Sequence, residues 1–259
     1  MVRTRDHGLA CAAGHAVLVI FDCDGVLVDS ERITHQVVVA MLAERGVALS
    51  FEEAVDRFIG MSMANGLVQL TALLGGSLPD GFLPEMGQRT RAAFRAGLTS
   101  VPGIEAVLDG LQHPAQHAAQ HPAQRGSQHG TQPRTQPRPY CVASNGNLAK
   151  VNFTLGHTGL LPRFMGHATG RIFTADDVAH PKPAPDLFLL AARTLGALPQ
   201  HTTVVEDTPT GITAARAAGM RAIGFAAMTP AARLRAAGAH AIAHSMAEVA
   251  ALLAEDKAA

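Results

Sequence analysis

Apolar residues along this chain follow two rhythms. Short unbroken runs, Ala16 to Phe21, Cys141 to Ala143, Thr202 to Val205, Arg221 to Phe225 and Ala239 to Ala243, recur with helix-like segments between them. Runs that do not alternate with polar residues suit strands buried on both faces, and strands separated by helices build a parallel sheet covered by helices. The pattern predicts an α/β fold with a mostly parallel sheet. From about Glu31 to Ser100 the strand rhythm stops. Val37, Val38, Met41 and Leu42 make one apolar stripe at helical spacing, and Phe51, Val55, Phe58 and Ile59 make another. This segment, 31–100, reads as a helical cap inserted after the first strand of a core formed by 14–30 and 101–259.

The stretch from Gln112 to Pro139 is of another kind. It is rich in Gln, His, Pro and Ala and carries almost nothing that could be buried, so it cannot offset the entropy of being ordered and is expected to be a mobile loop. His113, His117 and His121 are spaced by four, but Pro114 and Pro122 would break the helix needed to align them on a metal. The helix expected over Ile104 to Leu111 returns the chain to the sheet edge opposite the strand carboxyl ends, so the insertion should hang from that side.

A length of 259 residues allows one main core with a smaller appendage. Positive and negative side chains balance at 21 each, which removes any general attraction to nucleic acid or anionic lipid and makes anion binding a local matter. Cys11, Cys23 and Cys141 are odd in number and irregularly spaced, as expected of thiols in a reducing compartment. The amino-terminal MVRTRDHG and the apolar segment after it imitate a signal peptide. That apolar run ends at Asp22-Cys23-Asp24 without a small-residue cleavage site before the acids, so it reads as a strand behind a loose tail in a cytoplasmic protein. No apolar run reaches the length of a membrane span.

Four segments carry candidate chemistry. Val19 to Asp29 is a strand running into Asp22, Asp24 and Gly25, and carboxylates at strand carboxyl ends sit where α/β proteins bind ligands. Tyr140 to Gly146 is a strand ending in Ser144 and Asn145; a helix starting there would offer a hydroxyl and backbone N–H groups to a phosphate. His180 to Asp186 holds Lys182 between prolines, in a chain with only two other lysines, Lys150 and Lys257. Thr203 to Gly211 is a strand ending in Glu206 and Asp207, hard oxygen donors of the kind magnesium takes. Each alone has a plainer reading: a turn for Asp22, a helix cap for Ser144 or Asp207, a solvated surface lysine for Lys182.

Together, in the order acid pair, Ser, Lys, acid pair, the segments DCDGVLVDSE, VASNG, HPKPAPDLF and EDTPTGITAARAAGM resemble the haloacid dehalogenase superfamily. The likeness spans the chain apart from the tail and the insertion, and lies with the branch that carries a small helical cap and includes β-phosphoglucomutase and sugar-phosphate phosphatases. The resemblance implies a Rossmann-like three-layer core and a Mg2+-dependent phosphatase of a small phosphorylated metabolite, acting as a monomer or weak dimer. It implies Asp22 as nucleophile, Asp24 as general acid and base, Ser144 and the Asn145 backbone on the phosphoryl oxygens, and Lys182 as countercharge. Asp22, Asp24 through its carbonyl, Glu206 and Asp207 would hold the metal. Arg57, in the cap, is a candidate contact to the rest of the substrate.

Departures from the family pattern sort the rivals. A dehalogenase would have tyrosine in place of Asp24, and a phosphonoacetaldehyde hydrolase needs a cap lysine, whereas no lysine precedes Lys150. A β-phosphoglucomutase shares all four motifs, but the histidine of its pattern is Thr34 here, with His35 one place later, and its cap lysine is missing. A scaffold that merely binds phosphate would have a broken motif, and none is broken.

Overall fold

The computed structural model describes residues 17–59, 61, 63–113, 137–165 and 171–255. The tail before residue 17 and most of the Gln/His/Pro-rich insertion, with His117 and His121, lie outside them. Five expected apolar runs form strands: β1 (Leu18–Phe21), β2 (Tyr140–Ser144), β4 (Thr202–Glu206), β5 (Arg221–Phe225) and β6 (Ala241–Ala243). A further strand, β3 (Ile172–Thr174), was not predicted. It is three residues long and sits at the sheet rim, so it needs no long apolar run. All six strands are parallel, in the order β3-β2-β1-β4-β5-β6, with β1 in the interior.

Strand side chains alternate between two apolar clusters, one on each face. Val19 and Phe21 of β1 join α5 (Ile104–Gln112), α6 (Leu148–His157) and α10 (Met246–Ala254) through Leu108, Leu155 and Val249. Leu18 and Ile20 face α7 (Asp186–Thr194), α8 (Pro209–Ala217) and α9 (Ala231–Ala236) through Phe188, Ile212 and Leu234. This is the three-layer arrangement expected. The insertion leaves from the end of α5 and rejoins at β2, where Arg138 N bonds Leu111 O at 2.8 Å and Val19 N bonds Pro139 O at 3.0 Å. Both anchor points lie at the amino-terminal edge of the sheet.

Residues after β1 form four helices, α1 (Ser30–Ala43), α2 (Phe51–Phe58), α3 (Met63–Leu73) and α4 (Phe82–Gly97). They have their own apolar centre of Val38, Met41, Leu42, Leu70 and Phe82. Around its rim, Arg45 lies over the Phe82 ring at 5.0 Å and donates to Glu85 at 2.6 Å, while Arg89 joins Glu44 and Glu85, each at 2.6 Å. The predicted α2 stripe divides between two tasks. Phe58 packs on the helical centre, whereas Phe51, Val55 and Ile59 line a cavity of about 270 Å3 against Met228 and Pro230 of the core. Arg233 of α9 also donates to the carbonyls of Asp56, at 2.9 Å, and Ile59, at 3.3 Å, at the carboxyl end of α2. Two chain segments join the units side by side: Asp29 N bonds Thr99 O at 3.0 Å and Val101 N bonds Leu27 O at 3.0 Å.

Because the helical centre is separate from the sheet clusters, its loss should be felt locally. Phe82→Ala is expected to destabilise α1–α4 by about 3–5 kcal/mol. Hydrogen exchange should quicken in those helices while the amides of β1 and β4 keep their protection. Equal loosening of both would contradict a separate packing centre.

Candidate active site

The three interior strands β2, β1 and β4 end side by side, and the candidate residues follow directly. Phe21 is level with Val142 and Val205, so Asp22, one residue on, emerges beside the ends of both neighbours. Asp22 N remains tied to Val205 O at 3.0 Å, which fixes where its side chain starts. The chain then turns sharply, with Leu27 N and Val28 N both bonding Cys23 O, at 2.9 and 3.0 Å, and Val26, Leu27 and Val28 fully buried beneath. The turn holds Asp24 and Gly25 over the sheet edge.

Lys182 reaches this point from the loop before α7 and is 6% exposed. Its ammonium donates to Asp22 Oδ1 at 2.5 Å, Glu206 Oε1 at 2.8 Å and the Ala143 carbonyl at 2.7 Å, which uses all three of its protons. It also lies 4.7 Å from the centre of the Phe188 ring. Burial alone would lower its proton affinity, but Asp22 and Glu206 outweigh it and raise it. The surface-lysine reading is thus excluded.

Neighbouring acids divide their duties. Glu206 Oε2 accepts from Thr208 N at 2.9 Å and Thr208 Oγ1 at 2.8 Å, so both of its oxygens are engaged, by Lys182 and by Thr208. Thr208, not Asp207, caps α8, accepting from Gly211 N at 3.0 Å. A Cβ on Gly211 would fall 1.8 Å from Glu206 Oε1, so only glycine leaves room for this carboxylate. Asp207 is 4% exposed, and its Oδ1 has no hydrogen-bond partner. Gly25, at φ +75°, meets it from the other side: a Cβ there would lie 2.1 Å from Asp207 Oδ2.

This concentration of negative charge shows in proton affinities. Burial, opposed by Lys182 and reinforced by Glu206 and Asp24, raises Asp22 from 3.8 to about 7. Burial and then Glu206, Asp22, Glu31 and Asp24 push Asp207 well up. Asp24 goes the other way. Burial raises it, but the ammonium of Lys150 and the hydroxyl of Ser30 more than offset that and hold it below the ordinary carboxylate range. Lys150 Nζ donates to Asp24 Oδ2 and Ser30 Oγ to Oδ1, both at 2.7 Å.

Ser144 and Asn145 stand at the end of β2, but not as a helix start. The helix begins at Leu148, capped by Asn147, whose side chain accepts from Lys150 N at 2.9 Å. Ser144 is the last strand residue, and its Oγ accepts from Gly146 N at 3.0 Å. The Asn145 side chain forms two hydrogen bonds with the Lys182 backbone, accepting from its N–H at 3.0 Å and donating to its carbonyl at 2.9 Å. It thereby fixes the loop that carries the lysine.

Arg57 is not brought to this cluster. It is exposed in the last turn of α2, because the helix turns Phe51, Val55 and Ile59 to the core and so carries Arg57 outward. The cavity of about 310 Å3 over the acids is lined instead by Gly25, Asp29, Glu31, Arg32, Phe51 and Asp207, among others. His35 is buried with its Nδ1 2.7 Å from the Glu31 carbonyl oxygen, and Thr34 Oγ1 donates to the Ser30 carbonyl. Sequence reasoning missed Ser30, Glu31, Thr208 and Lys150. For Lys150 a signal existed, since lysine is rare in this chain and this one lies six residues beyond Ser144.

A divalent cation fits the donor set on two observations: the orphaned buried oxygen of Asp207, and carboxylates whose charge Lys182 balances on one side only. Among the described residues no three His, Cys, Asp or Glu side chains form a ready cage. Magnesium does not need one, because it is commonly bound by one or two carboxylates with substrate phosphate and water completing the octahedron. Also among the described residues, no helix is long and apolar enough to cross a membrane.

Residues 17–219 match the family described as haloacid dehalogenase-like hydrolase. The 6-phosphogluconate phosphatase of Escherichia coli K12 is 28% identical over 211 residues, covering 81% of this chain and 82% of that protein. A conserved haloacid dehalogenase-like protein of Agrobacterium tumefaciens superposes with a TM-score of 0.74 at 33% identity, covering 92% and 98% of the two chains. A hydrolase of the same family from Deinococcus radiodurans R1, with bound phosphate and sodium, gives 0.71 at 31%, covering 94% and 97%. The chain belongs to the haloacid dehalogenase-like hydrolases.

Proposed function

We propose that this hydrolase is a magnesium-dependent phosphatase that cleaves a small phosphorylated metabolite, a sugar phosphate, through a phosphorylated Asp22. The observation that carries the reading is the buried, unpartnered oxygen of Asp207 among acids that Lys182 balances on one side only. Support also comes from the phosphate bound by the Deinococcus relative and from the sugar-acid phosphate named for the Escherichia one. The cavity mouth, with Asp29, Glu31 and Arg32, suits a hydroxylated substrate better than an apolar one.

Asp22 and Asp207 would hold the ion through their side chains and Asp24 through its main-chain carbonyl, while Glu206 stays with Lys182 and Thr208. When bound, magnesium offsets the repulsion between phosphate and carboxylate and favours in-line displacement. Asp22 attacks phosphorus; its O–P bond forms as the bond to the leaving oxygen breaks, and Asp24 gives that oxygen a proton. The phosphate dianion supplies the negative charge that raises Asp24's affinity for this proton, against Lys150. Asp24 then takes a proton from the water that attacks the phosphorylated Asp22, and inorganic phosphate leaves. Ser144, whose oxygen already accepts from Gly146, can turn its hydroxyl proton to a phosphoryl oxygen, with the Asn145 N–H beside it.

Asp22→Asn is expected to cut turnover below about 1% of the parent rate with the fold kept, because an amide is a poor nucleophile and a poor metal ligand of nearly the same shape. Circular dichroism and release of phosphate from a sugar-phosphate panel test it; substantial residual hydrolysis would rule Asp22 out as nucleophile.

Metal binding has a readout apart from activity. In chelator, Asp22 with its pKa raised from 3.8 to about 7 keeps in the folded state a proton that the unfolded chain releases, so this contribution to stability falls as pH rises across that interval. Melting temperature in chelator should therefore drop between about pH 5 and about pH 8, and magnesium should raise it more at the higher pH. A magnesium effect that is absent, or equal at both pH values, would remove the case for an ion on these acids.

A further inference from the structure

Lys150 has no part in the chemistry described above, yet it touches the group on which that chemistry turns. Its ammonium takes Asp24 Oδ2 and the Ser30 hydroxyl takes Oδ1, each at 2.7 Å. With one donor on each oxygen, the carboxyl plane has a single orientation. We propose that Lys150 is a positioning residue, which together with Ser30 sets the Asp24 carboxyl in the orientation from which it protonates the leaving oxygen. The inference rests on the role given to Asp24 under the proposed function.

The local construction supports it. Lys150 sits in the first turn of α6, and that turn is anchored twice, by Asn147 Oδ1 on Lys150 N and by Asp176 Oδ2 on Leu148 N, both at 2.9 Å. Its stem passes over Gly146, where a Cβ would meet Lys150 Cδ at 3.4 Å and Ser144 Oγ at 3.3 Å, so the stem runs close beside the Ser144 loop. The head is thereby held between the ends of β1 and β2. Its side chain is 44% exposed and that of Asp24 17%, and a pair open to water on the lysine side contributes only modestly to stability, so support of the fold does not by itself account for the contact. Arginine is this chain's usual cation, but a fork would compete with Ser30 for both oxygens, whereas an ammonium serves one. In the step itself the proton passes from the Asp24 carboxyl to the leaving oxygen as the O–P bond to Asp22 forms; Lys150 keeps its own protons.

The test compares leaving groups, using kcat/KM, which reports the step that expels them. Glucose 6-phosphate and 6-phosphogluconate release the same kind of basic alkoxide and differ in charge, while p-nitrophenyl phosphate releases an anion that needs no proton. With magnesium present, Lys150→Met is expected to lower kcat/KM at least about tenfold for both sugar phosphates and under about threefold for p-nitrophenyl phosphate, with Lys150→Arg intermediate. Asp24→Asn, run alongside, should show the same selectivity more strongly. If Asp24→Asn discriminates between leaving groups and Lys150→Met does not, the positioning role is wrong. A loss confined to 6-phosphogluconate would overturn it in favour of a direct contact between Lys150 and the substrate's carboxylate. If Asp24→Asn itself shows no discrimination, the acid role of Asp24 fails, and this inference with it.

Discussion

The ammonium of Lys182 is what permits the rest of the site. Strands β1 and β4 deliver Asp22, Glu206 and Asp207 to one sheet edge, where burial strengthens their mutual repulsion. A buried carboxylate is tolerated only when paired and hydrogen-bonded. Lys182 gives one proton to Asp22, one to Glu206 and one to the end of β2 through the Ala143 carbonyl, so one cation joins three adjacent strand ends. Asn145 holds the backbone of that lysine from the end of β2, which makes the cation's position a property of the sheet and not of a free loop.

Two acids adjacent in sequence acquire opposite environments from this arrangement. Glu206 is fully hydrogen-bonded, by the lysine on one oxygen and by the α8 cap on the other, and Gly211 leaves the space it fills. Asp207 points to the Gly25 turn and keeps one oxygen unpartnered. The difference is set by two glycines without a Cβ, one from each flanking segment. It leaves one acid of the pair hydrogen-bonded on both oxygens and the other with a buried oxygen free of any partner.

The helical unit is tied to the same edge. Its two connections run side by side at the end of the β1 turn, and Ser30, the first residue of α1, is hydrogen-bonded to Asp24. A displacement of α1 therefore alters the surroundings of Asp24 directly. Farther out, Arg233 holds the carboxyl end of α2, and Phe51 lines both the cavity over the acids and the one against Met228 and Pro230. The position of the helices and the shape of the cavity over the acids are in this way one variable.

Strands buried on both faces must be apolar throughout, so the interior strands β1, β2, β4 and β5 are legible in the sequence, as are the acids and lysine that follow them; of the two three-residue rim strands, β6 still falls within an apolar run, Ala239 to Ala243, whereas β3 has only Ile172 and Phe173 to mark it and is not legible. The apolar stripes of α1 and α2 are likewise visible, since helical spacing is local. What sequence could not settle was direction and partnership between distant segments. Arg57 and Phe51 lie on one helix, and only packing against the core decided that Phe51 turns inward and Arg57 outward. Glu206 and Asp207 are indistinguishable as letters, and their roles depend on Lys182, Gly25 and Gly211. Lys150 meets Asp24 across 126 positions of chain. Local pattern fixes which residues a strand or helix must contain, but hydrogen bonding and charge pairing across the sheet edge exist only once tertiary structure has brought those ends together.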